Sequence, residues 1–349
     1  MSARLEVGVL GATGMVGQQF VRLLEAHPWF DATWLAGSDR SSGKTYGDAA
    51  SWRLSTPAPD AAAARIVEQP IPGRGPKLVF SALDAGVAGD LEKAFAEAGH
   101  IVVSNARNYR MDPHVPLLVP EINADHLGAL ATQRDTHGWP GAIVTNPNCS
   151  TVFLAMALAP LRALGLTTSV VTTLQAVSGA GHPGVPSLDI LGNVVPFIGG
   201  EEDKLETEPQ KILGTLRGGL VEPHGVIVSA QTTRVPVIDG HTEMISVGFS
   251  SAVTAEDIRA AFDAFRGVPQ ERGLPSAPAQ PLVYLEDANR PQPRLDVERE
   301  GGMAVFLGRL RPCPVLQYKF VALGHNTVRG AAGAAILNAE LMQDLGLLV

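Results

Sequence analysis

The sequence predicts a two-domain α/β chain: an N-terminal Rossmann-type doubly wound domain, then an α+β catalytic and dimerisation domain with a mixed sheet. Three observations carry this reading. The 349 residues exceed the size at which one hydrophobic core usually stops growing. The first half alternates short apolar runs with helical spacings, the mark of a parallel sheet covered on both faces. After about Asn146, longer β-rich segments replace that alternation.

Residues 5–10 form a short apolar run that enters Gly11-Ala12-Thr13-Gly14-Met15-Val16-Gly17. Phe20, Val21, Leu23 and Leu24 then carry helical spacing, and Pro28 stops it. Further strands are expected at residues 32–37, 78–82 and 101–104, with a helix at 91–98. Beyond Asn146 the β-rich segments are 170–177, 226–235, 242–250 and 315–323. Residues 267–281, rich in Pro, Gly and Ser, read as an exposed loop. Residues 331–345 are helical and need a surface for their apolar face, so they are expected to return to the first domain. The expected division is a dinucleotide-binding domain at 1–148, completed by the terminal helix 327–349, and a catalytic and dimerisation domain at 149–326.

Composition narrows the function classes. With 45% hydrophobic and 18% charged residues the chain is an ordinary globular protein. Aromatics are only 5%, so the core must be built mainly from Ala, Val, Leu and Ile. A formal charge of −8 argues against a nucleic-acid partner, although a local Arg/Lys cluster can still hold a phosphate. Two cysteines, Cys149 and Cys313, are too few for a disulfide framework and point to a reducing cytoplasm. Met1-Ser2-Ala3-Arg4 does not begin a leader peptide, and no apolar run reaches the roughly 18 residues of a membrane span. No metal site is expected.

Gly11, Gly14 and Gly17 form a G-x-x-G-x-x-G variant of the dinucleotide fingerprint between the first strand and the first helix. There the glycines permit a tight turn and let the backbone approach a pyrophosphate at the helix N-terminus. At the end of the second strand, Ser38, Arg40, Ser41 and Lys44 surround one acid, Asp39, a balance that favours NADP(H) over NAD. A solvated polar loop is the bland alternative.

Asn148 is a plausible helix N-cap, which puts Cys149 in a first helical turn where the dipole favours a thiolate. A small buried core residue is the other reading, and it suits Cys313, enclosed by prolines, better. Among nine histidines, His241 follows a turn and begins a strand, seven residues after Arg234. A hairpin there could aim both at one pocket. His27, His126 and His137 read as surface residues.

Together these segments resemble the aspartate-semialdehyde dehydrogenase family, more its archaeal and fungal branch than its common bacterial one. The matching motifs run in family order from the glycine loop through Ser104-Asn105-Ala106-Arg107-Asn108-Tyr109-Arg110, Pro120-Glu121-Ile122-Asn123 and Asn146-Pro147-Asn148-Cys149-Ser150-Thr151. They continue with Leu174-Gln175-Ala176-Val177-Ser178-Gly179-Ala180-Gly181, Glu201-Glu202-Asp203-Lys204, the segment 234–243, and Asn326-Thr327-Val328-Arg329-Gly330. The resemblance implies that Cys149 is the nucleophile, His241 the acid/base, and Gln175 a residue holding substrate beside the sulfur. It implies that Arg234 binds a substrate carboxylate and Glu201 an ammonium, while Lys204 and Arg110, with Asn148 nearby, take phosphate. Thr13, Met15, Val16, Ser38, Ser41, Ser81, Ser178, Gly179 and Asn326 match cofactor positions. The implied reaction is NADPH-dependent reductive dephosphorylation of L-aspartyl 4-phosphate through a Cys149 thioester, within lysine, methionine and threonine biosynthesis. The implied partners are small-molecule substrates and further copies of the chain, in a homodimer or homotetramer. A malonyl-CoA reductase on the same scaffold and a catalytically inactive dinucleotide-binding module are the alternatives.

Overall fold

The structure, a computed structural model, describes residues 4–348. Residues 1–3 and 349 lie outside the described residues, and with them most of the stretch read against a leader peptide. The first sheet is parallel throughout. Its strands are β1 (Leu5–Leu10), β2 (Phe30–Ala36), β3 (Leu78–Ser81), β4 (Ile101–Ser104) and β5 (Ala142–Thr145), in the order β2-β1-β3-β4-β5. Every residue of β3, β4 and β5 is buried, which is why these strands read as continuous apolar runs without alternation.

The second sheet is mixed. It contains β6 (Leu166–Gln175), β9 (Ile227–Arg234), β10 (His241–Phe249), β11 (Leu282–Leu285), β12 (Val305–Pro312) and β13 (Tyr318–Gly324), while β7 (Thr215–Arg217) and β8 (Leu220–Glu222) form a separate hairpin. The order is β11-β12-β13-β10-β6-β9, with β6/β9 and β11/β12 parallel and the remaining pairs antiparallel. The sheet packs one face on the Cys149–Leu158 helix, whose residues from Ser150 onward are all buried. A helix apolar on every side is one enclosed on every side. The opposite face of the sheet leaves Val170, Ile227 and Met244 exposed.

After β13 a wide helical turn, Val328–Ala332, leads into the terminal helix Gly333–Asp344. Ala335, Ile336, Ala339 and Leu341 share one core with Val7, Phe80 and Val103 of the first sheet and Phe20 of the Met15–Leu24 helix. The chain thus ends against the layer where it began.

Several sequence expectations need correction. The helix expected at 91–98 runs Ala85–Glu97, because Asp84 already has the extended backbone of an N-cap. The strand Val305–Pro312 is absent from the sequence reading, and residues 315–317 precede the strand expected to start there. The segment 267–281 is not merely an exposed loop: it holds the short helix Val268–Glu271 and buries Pro269 and Leu274. His27 and His126 are buried, not superficial. His27 Nε2 lies 2.7 Å from Glu340 Oε1, and His126 Nδ1 lies 3.0 Å from Asn123 Nδ2, so their polar neighbours in sequence were no guide to exposure. Cys313 is half-exposed in a turn between β12 and β13 and is no core residue.

Candidate active site

The strand register assembles the site. Gln175 pairs with Arg234 across β6/β9, and Thr242 pairs with Leu174 across β10/β6. The C-terminal ends of β6 and β9 therefore meet the start of β10, and Gln175, Arg234 and His241 converge there. Opposite them, the chain leaves β5 through Asn146-Pro147 and turns into the Cys149–Leu158 helix. Asn148 caps this helix, its Oδ1 accepting the N–H groups of Ser150 (3.0 Å) and Thr151 (3.3 Å). The cap holds Cys149 at the first helical position, with Sγ 3.3 Å from His241 Nε2.

The ring orientation has an identifiable cause. Nδ1 of His241 accepts the Ala176 N–H at 3.0 Å, so the proton of the neutral ring sits on Nε2 and faces the sulfur. Burial, helped by the Arg234 charge, pushes His241 down to about 3. Burial also pushes the Cys149 thiol up to about 12, with the Glu201 carboxylate adding to the effect and Arg110, Arg234 and Lys204 opposing it. The helix start was expected to favour a thiolate at neutral pH. A helix dipole is worth only about 0.3–1 kcal/mol, whereas desolvation of a buried group can shift a pKa by several units. Desolvation outweighs the dipole here, pushing the thiol up and the imidazole down. Iodoacetamide labelling of Cys149 in the free protein should accordingly rise from pH 7 to pH 10 without a plateau. Glu201→Gln should label faster than the parent at pH 8, because removing the carboxylate charge eases thiolate formation. A plateau below pH 8 would show a preformed ion pair instead.

Glu201 opens the Glu201–Ile212 helix. Its Oε2 accepts from Asn148 Nδ2 (2.8 Å) and Gln175 Nε2 (3.3 Å), and Oε1 pairs with Lys204. Burial alone pushes this carboxyl up, but the Lys204 charge and these donors outweigh it and hold Glu201 below the usual carboxylate range. Arg234 is buried, donates to Ala176 O at 2.6 Å, and keeps the rest of its fork for the site. Arg110 is buried as well, donating to Glu208 Oε1 (3.0 Å) and Asn105 O (2.7 Å). Two glycines make room for this cluster. A Cβ on Gly179 would stand 2.9 Å from Arg234 Nη1, and one on Gly330 would stand 2.8 Å from Cys149 Cβ.

A crevice of about 570 Å³ runs along the C-terminal edge of the first sheet, walled by Gly11, Thr13, Gly14, Met15, Val16, Ser38 and Arg40. It shares Met15, Val16 and the 82–84 segment with a second compartment of about 290 Å³ that reaches Cys149, Asn148, Arg110, Ser178, Gly179 and Asn326. Asn326 bridges the two sides, donating to Ser178 Oγ (2.8 Å) and accepting the Gly240 N–H (2.8 Å). The glycine loop fits a dinucleotide here. Gly11 has φ +73°, open to glycine at no cost, and a Cβ on it would stand 2.6 Å from Ala82 O.

Three expected cofactor residues fall outside this lining. Ser81 is fully buried and its hydroxyl donates to Glu92 Oε1 at 2.6 Å, so it braces β3 and does not face the crevice. Gly17 lies beneath the loop, where a Cβ would strike Ala12 and Gly11; its smallness serves helix-to-loop packing. Ser41 packs under Gly37, its N–H bonded to Ser38 O. Conversely, Arg53, Gln18 and His182 line the crevice without having been singled out. Arg53 sits in an irregular stretch, its N–H held by Gln18 Oε1 at 2.8 Å, and no periodicity marks it. Among the described residues, no helix is long and apolar enough to cross a membrane.

Comparison with known proteins agrees with this architecture. The model of the semialdehyde dehydrogenase NAD-binding domain matches residues 6–130, and that of the semialdehyde dehydrogenase dimerisation domain matches residues 158–329. The chain is 50% identical over 344 residues to the aspartate-semialdehyde dehydrogenase of Archaeoglobus fulgidus, covering 97% of this chain and 98% of that one. It is 45% identical over 359 residues to the enzyme of the same name from Saccharomyces cerevisiae, covering 98% of each. Its fold superposes with a TM-score of 0.91 on the Candida albicans aspartate-semialdehyde dehydrogenase solved with NADP, at 44% identity and 99% and 100% coverage. Identity falls to 26%, at a TM-score of 0.78, for the Vibrio cholerae enzyme II, in line with the archaeal and fungal resemblance. The chain belongs to the aspartate-semialdehyde dehydrogenase family.

Proposed function

We propose that this chain reduces L-aspartyl 4-phosphate to L-aspartate 4-semialdehyde with NADPH, through an acyl thioester on Cys149, in the biosynthesis of lysine, methionine and threonine. The observation that carries the reading is the position of the Cys149 sulfur. It lies against His241, in a compartment that adjoins the dinucleotide-sized crevice, with the Arg234 guanidinium anchored nearby on Ala176 O and the ionised Glu201 bonded to the Asn148 cap. The substrate has the complementary pair: an α-carboxylate for Arg234, suited to its planar donors, and an α-ammonium for Glu201. An ammonium on Glu201 also neutralises one of the charges that keep Cys149 protonated, so substrate binding eases thiolate formation.

The sulfur attacks the acyl carbon as the bond to the phosphate oxygen breaks, and the thiol proton departs on the phosphate, whose charge is met by Arg110 and Lys204. The dinucleotide, when bound, supplies hydride chemistry. Arg40 and Arg53 at the far end of the crevice suit the 2′-phosphate of NADP. Once the thioester carbonyl is reduced, its oxygen is held as a thiohemiacetal anion by a hydrogen bond from His241 Nε2. That anion collapses as the carbon–sulfur bond breaks, releasing aldehyde and a thiolate that takes up a proton from solvent. Gln175, whose Oε1 accepts from Thr173 Oγ1 at 3.0 Å, keeps its amide N–H on Glu201.

The exposed apolar face of the second sheet, with Val170, Ile227 and Met244, suits a homodimer, alone or paired into a tetramer. Two unpaired cysteines fit a cytoplasmic setting. The test is the reverse reaction with aspartate semialdehyde, phosphate and NADP, beside malonyl-CoA with NADPH. Phosphate-dependent NADP reduction with little malonyl-CoA turnover is expected. The reverse pattern would transfer the assignment to malonyl-CoA, a substrate without an ammonium for Glu201.

A further inference from the structure

Four charged residues of the Glu201–Ile212 helix, at 201, 204, 208 and 211, have spacings of three, four and three that put them on one stripe. Glu201 and Lys204 belong to the site already described. Glu208 and Lys211 do not, yet both are buried, and Glu208 is only 2% exposed. A buried carboxylate must be paired to be tolerated, and its partners show what it holds.

Each oxygen of Glu208 has one partner. Oε1 accepts from Arg110 Nη1 at 3.0 Å, and Oε2 accepts the backbone N–H of Asn148 at 2.7 Å. Asn148 is the N-cap that places Cys149, while Arg110 faces the same compartment as the sulfur. One carboxylate thus ties the residue before the nucleophile to a guanidinium across 38 residues of sequence. Lys211 supports the arrangement from the next turn. Its ammonium, pushed down to about 8 by burial and still protonated at neutral pH, donates to the carbonyls of Arg110 (2.8 Å), Asp112 (2.6 Å) and Val115 (2.8 Å). Arg110 still has capacity left, since Nη1 and Nη2 each spend one of their two N–H bonds on Glu208 and Asn105 O.

We propose that Glu208 is a positioning residue for the phosphate step, holding Arg110 and the Cys149 turn at a set separation so that the leaving phosphate meets its cation. This rests on the reading above that Arg110 receives phosphate. The device trades affinity for geometry. Part of the guanidinium charge is already compensated, so phosphate is oriented and yet free to leave.

The test is Glu208→Gln in the phosphate-dependent reverse reaction. Glutamine keeps the shape, but its single acceptor cannot serve two donors, and its amide N–H₂ must face another N–H. The KM for phosphate should rise roughly ten-fold, as expected for one buried donor left unpaired, with the KM for the semialdehyde within about two-fold of the parent. In an Arg110→Gln background the Glu208→Gln effect on phosphate should vanish, because the two residues act as one unit. Glu208→Asp, which keeps the charge but is one methylene too short to span both partners, should move the phosphate KM in the same direction. An unchanged phosphate KM, an equal rise for both substrates, or an effect undiminished without Arg110 would each overturn the proposal. Absence of phosphate-dependent turnover in the parent chain would overturn it together with the reading beneath it.

Discussion

Cys149→Ser is expected to lower turnover by roughly four orders of magnitude while leaving NADP affinity within about two-fold of the parent. The size follows from the chemistry. A serine hydroxyl is a far weaker nucleophile than a thiolate, and His241, held neutral and pushed down to about 3, is a poor base for activating it. Loss on this scale is expected where the group forms the covalent intermediate. The sparing of NADP affinity follows from the geometry, since Gly11, Thr13, Gly14, Ser38 and Arg40 line the crevice and not the compartment that holds the sulfur. Pre-steady-state measurement should show no burst of acyl-enzyme in the variant. Residual turnover above about one per cent would mean that another group attacks the substrate. Cys313 is the control: it is half-exposed and outside both compartments, so Cys313→Ser should behave as the parent.

Arg329→Met should destabilise the chain by about 3–5 kcal/mol, the largest stability effect expected from a single substitution here. Arg329 and Glu121 are both fully buried and bond side by side, Nη1 to Oε1 at 2.8 Å and Nη2 to Oε2 at 2.6 Å. The pair joins the helical turn Pro120–Asn123 to the wide turn Val328–Ala332, and Nη2 also lies 3.3 Å from Met156 Sδ in the nucleophile helix. Removing the cation leaves a carboxylate stranded in the core, and the energy lost is mostly that of an uncompensated buried charge. Combining Arg329→Met with Glu121→Leu should therefore recover most of the loss, which urea unfolding would reveal as a strongly coupled double-mutant cycle. Additive losses would mean that each residue is held by partners other than the other. The same turn supplies Gly330 against Cys149, and Ala331 O accepts from Asn146 Nδ2 at 3.0 Å, so loosening it should slow catalysis as well.

The parts of the site legible in the sequence were those made by chain neighbours. The glycine loop between β1 and the first helix, the Asn148 cap one residue before Cys149, and His241 following a turn are all local patterns. The parallel half was legible for a related reason, since strands buried on both faces advertise themselves as short apolar runs. Boundaries suffered where a cap or turn was set by backbone conformation alone, as at Asp84 and before Tyr318. The histidines misled because burial of His27 and His126 depends on Glu340 and Asn123, and composition around a residue does not report what packs over it.

By itself, then, the sequence determined a doubly wound nucleotide-binding half, a mixed-sheet half, and a cysteine at a helix start with histidine and arginine in prospect. Periodicity and nearest-neighbour chemistry suffice for each of these. Only the tertiary structure decided that Ser81 braces β3, that Arg53 joins the crevice, and that Arg329 closes on Glu121. It also decided that Glu208 spans Arg110 and the nucleophile turn, and that desolvation and Glu201 push the Cys149 thiol up. The physical reason is common to all five. Each depends on burial or on a partner brought close by packing, and neither pairing nor dielectric environment exists until the elements have packed together.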